Sequence, residues 1–423
     1  MPNQPNKRDG GRRDIRLFER MSELAFTEVP RNVFWSWWLF ILFGLMHSAA
    51  LIWATIQVDA HWISPLANKP LSWDFTNLWF GGKLALAGDL RTIFDVDAYR
   101  AALRAEFAPY IDDSEWSYPP SILLLGVPLA LLPLPFAWAI WSLGGALTLF
   151  AAGRAFGLAY RHILLICLSP AFIFCLVLGQ NGAYVAALLL GGLWMAPKRP
   201  GWAGLMFALL TFKAQFGLLV PICLLAARNW RAIAFAATYS IIIAAVTALL
   251  FGPSIWLDFN AVTRPLMVSI LEAPFPKPYQ ISAVTAFIAV RGMGGSVDVA
   301  YAVQGVIALA CCVTAYRLWS NPACDPKLRL AATAALTILA TPYGYIYDMV
   351  MVSFGVALAV HQLGWRKTTP LAFIWLWPSF SGQFTFIIGP YAVVILLAAA
   401  IILTRFAFQS AGGSLTLRFP ARD

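Results

Sequence analysis

Long apolar stretches fill most of the chain and are separated by short polar ones. The first runs over about residues 35–57, and others follow until about residue 408. A membrane-spanning helix needs about 20 mostly apolar residues, so each long stretch is a candidate span. The pattern predicts an all-α polytopic membrane protein with about 11–13 transmembrane helices over residues 35–408, between polar tails at 1–34 and 409–423.

One long polar segment, residues 58–118, interrupts this pattern. It carries nine acidic residues against five basic ones. Within it, residues 75–80 and 99–107 place apolar side chains at helical spacing, which predicts two amphipathic helices lying on the membrane surface. Gly81, Gly82 and Gly88 are expected to interrupt the chain between them.

Basic residues mark the tails and several short loops between apolar stretches, and this distribution predicts the orientation. Cytoplasmic loops of membrane proteins carry an excess of Lys and Arg. We therefore expect both tails in the cytoplasm and the acidic loop 58–118 outside. The basic residues of the predicted inner loops are Arg154, Arg161, Lys198, Arg199, Arg228, Arg231, Arg317, Lys327, Arg329, Arg366, Lys367 and Arg405.

This orientation requires three unusual segments. Residues 119–153 must cross the membrane once although prolines divide them into two short helices, and residues 201–227 must enter and return with Lys213 at the turn. Residues 281–291 must form a short outer helix, beyond a second outer loop at 252–280. Irregular backbone at membrane depth is tolerated where protein or a wet cavity shields it, so these segments predict an outward-facing cavity.

Composition supports a membrane protein and argues against other classes. The chain is 60% hydrophobic and 12% charged, whereas soluble domains are about 25% charged. The net charge of +10 is explained by the inner loops, so no nucleic-acid partner is expected. The six cysteines form no CxxC pair and the four histidines are scattered, so no metal site is predicted. No cleavable signal peptide is expected, because a long polar stretch precedes the first apolar run.

Several polar residues would collect at the outer face, where intramembrane polar groups are functional candidates. Each also has a structural interpretation. Asp74 is a possible helix cap and Lys213 a possible snorkelling side chain, while Asp348 is a possible partner in a structural ion pair. The candidates are Trp73, Asp74, Tyr118, Gln180, Asn181, Lys213, Arg264, Lys277, Tyr343, Tyr347 and Asp348.

The order of the motifs resembles a known family. Asp74-Phe75 opens the long loop, Tyr118-Pro-Pro120 ends it, and a Pro-Leu-Ala-Leu-Leu-Pro run begins at Pro128. A Gly-Gln-Asn turn and a Gly-Leu-x-x-x-Leu-x-x-x-Lys segment ending at Lys213 follow. This order is similar to the polytopic GT-C glycosyltransferases, specifically glycosyltransferase family 87, over residues 70–230 and more weakly through Asp348.

The resemblance implies a mannosyltransferase-like enzyme that uses a polyprenyl-phosphate sugar donor. It implies a lipid-linked or cell-envelope glycan acceptor, an inverting reaction on the extracytoplasmic side of the inner (plasma) membrane, and Asp74 as the general base. Lys213 would hold the phosphate, with Arg264 or Lys277 as lesser candidates, and the remaining candidate residues would contact the substrates. No cofactor is expected, although a divalent metal is left open. A histidine common late in the family is replaced here by Tyr343, Tyr345 and Tyr347.

Two other functions remain as alternatives. A transporter or flippase of lipid-linked glycans would also be polytopic, but the inverted repeats usual in transporters are not found in the sequence. A non-catalytic membrane subunit would explain the hydrophobic pattern without explaining the combination of Asp74 and Lys213.

Overall fold

The structure, a computed structural model, describes residues 31–64, 68–380 and 391–412. It is 76% helical, which confirms the predicted all-α class. The predicted cytoplasmic tails lie largely outside the described residues. The only regular strands in the described part are β1 (Ile63–Ser64) and β2 (Lys69–Pro70), which pair antiparallel in the long loop.

The first half of the chain forms the first predicted span, the long loop and the segments up to residue 226. Its helices are α1 (Arg31–Ile56), α2 (Trp73–Leu86), α3 (Leu90–Ile93), α4 (Val96–Glu106), α5 (Leu123–Ala130), α6 (Leu134–Ala155), α7 (Tyr160–Cys167), α8 (Pro170–Leu178), α9 (Gly182–Met195), α10 (Pro200–Leu209) and α11 (Leu219–Ala226). Short 3₁₀ segments occur at Pro120–Ile122 and Leu210–Gly217.

The second half contains the predicted second loop and the remaining spans. Its helices are α12 (Trp230–Phe251), α13 (Ser254–Asp258), α14 (Arg264–Glu272), α15 (Pro278–Ile281), α16 (Ala286–Gly292), α17 (Val297–Ser320), α18 (Pro326–Leu339), α19 (Val350–Leu363), α20 (Thr369–Leu376) and α21 (Ala392–Ser410). A π-helical turn (Phe259–Thr263) joins α13 to α14, and 3₁₀ turns precede α19 (Ile346–Met349) and follow α20 (Trp377–Ser379).

Length and composition identify six helices in the described residues as able to cross a membrane, or eight if two bent pairs each count as one span. This is fewer than the predicted 11–13. The difference arises because several apolar stretches form short or broken helices, such as Pro120–Ala130 and Gly182–Met195. Burial also differs between spans: 78% of the Ile346–Leu363 window is buried, against 6% of the α12 window. The segment that contains Asp348 is therefore enclosed by the rest of the fold.

The predicted breaks in the apolar stretches are present. Between residues 119 and 153 the chain forms the short α5 and the full-length α6, separated by a break at residues 131–133. The second part is therefore longer than the short helix that we expected. In the segment 200–226 the two halves meet at 110°, and Lys213 at the bend has non-helical backbone angles (φ −137°, ψ 60°). The short helix predicted over 281–291 is observed as α16.

The long loop differs from its prediction in one of its two helices. Helix α4 has one buried side, with Tyr99 and Leu103, as an amphipathic helix should. Helix α2 instead buries eight consecutive residues, 75–82, and packs against α5. Gly82 makes this packing possible, because a Cβ there would lie 2.2 Å from the Gly126 carbonyl oxygen. Gly81 and Gly82 therefore belong to a helix interior, and only Gly88, with φ +76°, ends the helix as expected.

Contacts between distant segments define two ends of the helical bundle. At one end, called here the site end, the loop after α18 pairs with the segment before α16 through Val284 N–H to the Gly344 carbonyl (2.9 Å). At the other, called the far end, the His162 and His361 rings are 4.9 Å apart, and Asp325 N–H donates to Ser410 Oγ (2.8 Å). Three of the predicted inner loops meet at the far end, because the His162 ring lies 6.3 Å from the Trp365 ring and Gln362 Nε2 donates to Asp325 Oδ2 at 2.8 Å.

Candidate active site

Asp74 is the second residue of α2, at the site end. Ser72 occupies the position before the helix, with left-handed backbone angles (φ 54°) and no side-chain capping bond. The interpretation of Asp74 as a helix cap is therefore wrong, although a carboxylate in the first turn still interacts favourably with the helix dipole. The Tyr118 hydroxyl donates to the Asp74 carbonyl oxygen at 3.3 Å. The end of the long loop thus contacts the backbone of the residue that begins it.

The turn between α8 and α9 presses against the start of α2. Gly179 has φ +66°, and a Cβ there would lie 2.3 Å from Phe75 Cβ and 2.4 Å from Ser72 Oγ. The Trp141 indole N–H donates to the Gly179 carbonyl at 3.0 Å and fixes the turn from the other side. The next side chain, Gln180, hydrogen-bonds the Asp74 side chain. A glycine suits position 179 because φ is positive and a Cβ would collide with the start of α2.

Lys213 meets Asp348 at the bend between α10 and α11. Lys213 Nζ lies 2.6 Å from Asp348 Oδ1, and the two side chains are 11% and 0% exposed. The second oxygen, Asp348 Oδ2, accepts the Tyr345 backbone N–H at 3.1 Å. The ion pair that the structural interpretation of Asp348 predicted is therefore present. An ammonium has three N–H donors, so this pairing leaves donors of Lys213 for another group.

Aromatic rings surround the Lys213 ammonium. Its Nζ is 5.1 Å from the centroid of the Tyr347 ring and 5.3 Å from that of Phe216. The Tyr345 ring stacks on Tyr347 with centroids 5.3 Å apart. Cation–π contacts stabilise a desolvated ammonium, so the two rings help to hold the Lys213 side chain in place.

Asp74 interacts electrostatically with the pair formed by Lys213 and Asp348. Burial raises the pKa of Asp74 above its ordinary value, and the hydrogen bond from Gln180 and the charges of Lys69 and Lys213 oppose this rise. The negative charge of Asp348, like burial, raises the pKa of Asp74. Although most of its surroundings are protein, Asp74 keeps part of its surface exposed. Burial also raises the pKa of Tyr118 far above its usual range, so this hydroxyl stays protonated and acts as a donor.

The structure brings together most of the predicted site residues, but not all. Asn181 is buried beside this group, and its Oδ1 has no hydrogen-bond partner in the described part of the chain. Trp73 lies at the edge of the group, half-buried, under the Lys69 ammonium (5.2 Å to the ring). The residues that converge are Asp74, Tyr118, Gln180, Asn181, Lys213, Tyr347 and Asp348.

Three predicted residues lie elsewhere. The Tyr343 hydroxyl points to the Met267 carbonyl (3.5 Å), within a small separate apolar cluster formed with α14 and α16. Arg264 is exposed and donates to Asn260 Oδ1 at 2.9 Å, and Lys277 is exposed at the start of α15. Among the described contacts, none joins these two cations to Asp74 or Lys213.

The sequence prediction missed two residues that the structure places at the site. Lys69 lies in β2 and acts electrostatically on Asp74, but one lysine in an acidic loop gives no signal in the sequence. Tyr345 stacks on Tyr347 and positions Asp348 through its backbone N–H. Its position in the sequence, close to Tyr343, Tyr347 and Asp348, could have identified it as a site residue. Within the described residues there is no group of three or more His, Cys, Asp or Glu side chains arranged to hold a metal ion.

Comparison with known protein families matches residues 116–342 to glycosyltransferase family 87. The match covers more than half of the 423 residues. The chain belongs to this family. As a family 87 glycosyltransferase it is a transferase that uses a sugar donor and a glycan acceptor in a membrane. The matched segment contains Tyr118, Gln180 and Lys213, whereas Asp74 and Asp348 lie outside it. No curated protein and no solved structure matches the chain.

Proposed function

We propose that this family 87 enzyme transfers a hexose, with mannose favoured by the family resemblance, from a polyprenyl-phosphate donor to a lipid-linked or cell-envelope acceptor. The single observation that carries the proposal is the convergence of Asp74 with Lys213 at a broken helix. A general base and a cation for phosphate are the two groups that this reaction requires. A site at the end of a membrane bundle also suits a donor whose prenyl chain lies in lipid.

In the proposed step, Asp74 accepts the proton of the attacking acceptor hydroxyl. The acceptor oxygen forms a bond to the anomeric carbon of the sugar as the bond from that carbon to the phosphate oxygen breaks. The electron pair of the broken bond stays on the phosphate, and polyprenyl phosphate leaves. Because the attack comes from the face opposite the leaving group, the configuration at the anomeric carbon inverts. Burial of Asp74 makes it a stronger base than an exposed aspartate, through its raised pKa.

Lys213 would meet the negative charge that develops on the leaving phosphate. Its ammonium is desolvated, held by rings and by Asp348, and has donors left for a phosphate oxygen. Preorganised cations in a water-poor site stabilise such charge more than they would in water. The geometry favours Lys213 over Arg264 and Lys277, which are exposed and lack contacts with Asp74.

Asp348 is better assigned to positioning than to substrate contact. Its carboxylate is fully buried and its two oxygens accept from Lys213 and from the Tyr345 backbone.

The first turn of α9 begins at Gly182, beside the buried Asn181. Helix N-termini favour anions, so this turn offers a second group for the donor phosphate.

We place the active site on the extracytoplasmic side of the inner (plasma) membrane. The support is the distribution of charge: three loops that carry Lys and Arg meet at the far end of the bundle, and the acidic loop contributes Asp74 at the site end. Cytoplasmic loops carry the positive excess, so the site end should face outward.

Purified protein in lipid nanodiscs, given a panel of polyprenyl-phosphate hexoses and a membrane-lipid acceptor extract, tests this function. We expect polyprenyl phosphate to be released with one donor of the panel, with inversion at the anomeric carbon by NMR of the product. Sugar transfer only from nucleotide sugars added to the panel, with release of the nucleotide, would contradict the donor assignment, and a product of retained configuration would contradict the single displacement.

A further inference from the structure

Three residues in the segment just before α2 have left-handed backbone angles, which side chains other than glycine rarely adopt. They are Trp62 (φ 62°), Asn68 (φ 49°) and Ser72 (φ 54°). Among the described residues, Arg228, between α11 and α12, is the only other non-glycine with a positive φ. Asparagine tolerates this conformation better than tryptophan or serine, for which it costs free energy. Backbone strain is therefore concentrated in the segment that leads to the proposed base, and such strain clusters at functional sites.

Ser72 has a second unfavourable feature. Its side chain is fully buried, and its Oγ has no hydrogen-bond partner in the described part of the chain. A serine before a helix normally has extended backbone angles and accepts a hydrogen bond from the first turn, but Ser72 does neither. A buried hydroxyl without a partner destabilises the folded state. Stability alone would favour glycine here, because glycine adopts a positive φ without strain and has no hydroxyl to bury.

The contacts of Ser72 connect it to Asp74. The Ser72 carbonyl accepts the Thr76 N–H at 3.0 Å, a hydrogen bond that closes the first turn of α2 around Asp74. Ser72 Oγ also lies against the turn before α9, since a Cβ on Gly179 would be 2.4 Å from it. The next residue of that turn, Gln180, hydrogen-bonds the Asp74 side chain. Ser72 therefore adjoins both the backbone that carries Asp74 and the turn that supplies its side-chain partner.

We propose that Ser72 is a positioning residue, whose left-handed backbone and packed side chain fix the direction in which α2 presents Asp74. The Cβ of a serine restricts the backbone more than a glycine does. A base held in one orientation is more effective than a mobile one, which explains a strained serine at a position that suits glycine. The inference rests on the proposed function, because Asp74 is the base of that reaction.

Ser72→Gly separates this role from a merely structural one. Glycine relieves the strain and removes the buried hydroxyl, so the melting temperature in nanodiscs should equal or exceed that of wild type. The loosened start of α2 should lower kcat at least tenfold, while the donor KM changes less than about threefold. Hydrogen–deuterium exchange should become at least tenfold faster at the Thr76 amide and its neighbours in the first turn of α2. This last measurement does not depend on activity.

Two further variants serve as controls. Ser72→Ala removes the hydroxyl but keeps the Cβ, so its kcat should stay within about threefold of wild type. Arg228→Gly relieves the same kind of strain at an exposed position outside the site. It should be at least as stable as wild type and fully active.

Several results would overturn the positioning role of Ser72. One is a Ser72→Gly variant with normal kcat or with unchanged exchange in α2. Another is a loss of kcat accompanied by a lower melting temperature, because that would indicate general destabilisation. An equal loss of kcat in Ser72→Ala would assign the effect to the hydroxyl instead of the backbone. Faster exchange in Ser72→Gly, together with no sugar transfer by wild type, would count against the proposed function alone.

Discussion

Lys213 and Asp348 are 135 residues apart in the chain, yet Lys213 Nζ lies 2.6 Å from Asp348 Oδ1 in the enclosed part of the fold. The contact joins the bend between α10 and α11 to the start of the most buried span. A buried ion pair is not by itself a strong source of stability, because both charges lose their hydration. Its position beside Asp74 is better explained by a requirement for a fixed cation.

Removing one member of this pair separates a structural from a functional role. Lys213→Met should destabilise the protein by about 3–5 kcal/mol, because it leaves the Asp348 charge buried without a partner. The double variant Lys213→Met/Asp348→Asn should regain most of the stability but not the transfer activity. Thermal unfolding in nanodiscs and donor kinetics measure the two effects. A double variant with near-normal donor KM and kcat would show that Lys213 has only a structural role.

Gly179→Ala should disturb the site through the start of α2. A Cβ at this position collides with Phe75 and Ser72, and φ is +66°, so α2 and Asp74 must shift. We expect a loss of about 1–3 kcal/mol in stability and at least a tenfold loss in transfer rate. Gly305→Ala is the control, since nothing lies within 4 Å of a Cβ there. Equal activity of the two variants would contradict the contact as a determinant of Asp74 placement.

The acid limb of the pH–rate profile should report Asp74. Burial raises its pKa, so activity should fall with decreasing pH at a higher pH than for an exposed aspartate. The same shift makes the stability of the protein depend on pH. Because the pKa of Asp74 is raised in the folded state, Asp74 favours the folded protein below the pKa that it has in the unfolded state. This stabilisation is lost as pH rises through the folded-state pKa.

Lys69→Gln extends this test. Since the Lys69 charge lowers the pKa of Asp74, its removal should shift the acid limb of kcat/KM to higher pH. Lys83→Gln is a suitable control, because Lys83 pairs with Glu106 on the outside of the loop. An acid limb that stays in place in Lys69→Gln would show that another group controls it.

The orientation of the bundle is testable by labelling. A cysteine introduced at Asp97, in the acidic loop, should react with a membrane-impermeant maleimide from outside the cell, and one at Lys367 only after permeabilisation. Both positions are exposed in the structure. Labelling of the Asp97 position only after permeabilisation would reverse the sidedness of the site.

The sequence was sufficient to predict the class of fold and the bend at Lys213, because hydropathy and basic residues are local signals. It also predicted that Asp74, Lys213 and Asp348 share one face. It did not predict the burial of α2, because close packing of Gly82 against Gly126 depends on a partner helix distant in sequence. The contribution of Lys69 and the exclusion of Arg264 and Lys277 likewise depend on how loops fold over the bundle.

The most direct test of the account is the comparison of wild type, Asp74→Asn and Asp97→Asn in release of polyprenyl phosphate from the preferred donor. Loss of a general base typically costs about 10²–10⁴ in rate, so Asp74→Asn should lose at least a hundredfold in kcat while thermal stability and donor binding stay near wild type. Asp97→Asn, at an exposed carboxylate of the same loop, should retain full activity. Near-normal turnover by Asp74→Asn would contradict the assignment and require another acid, such as Asp59 or Asp348, to be the base.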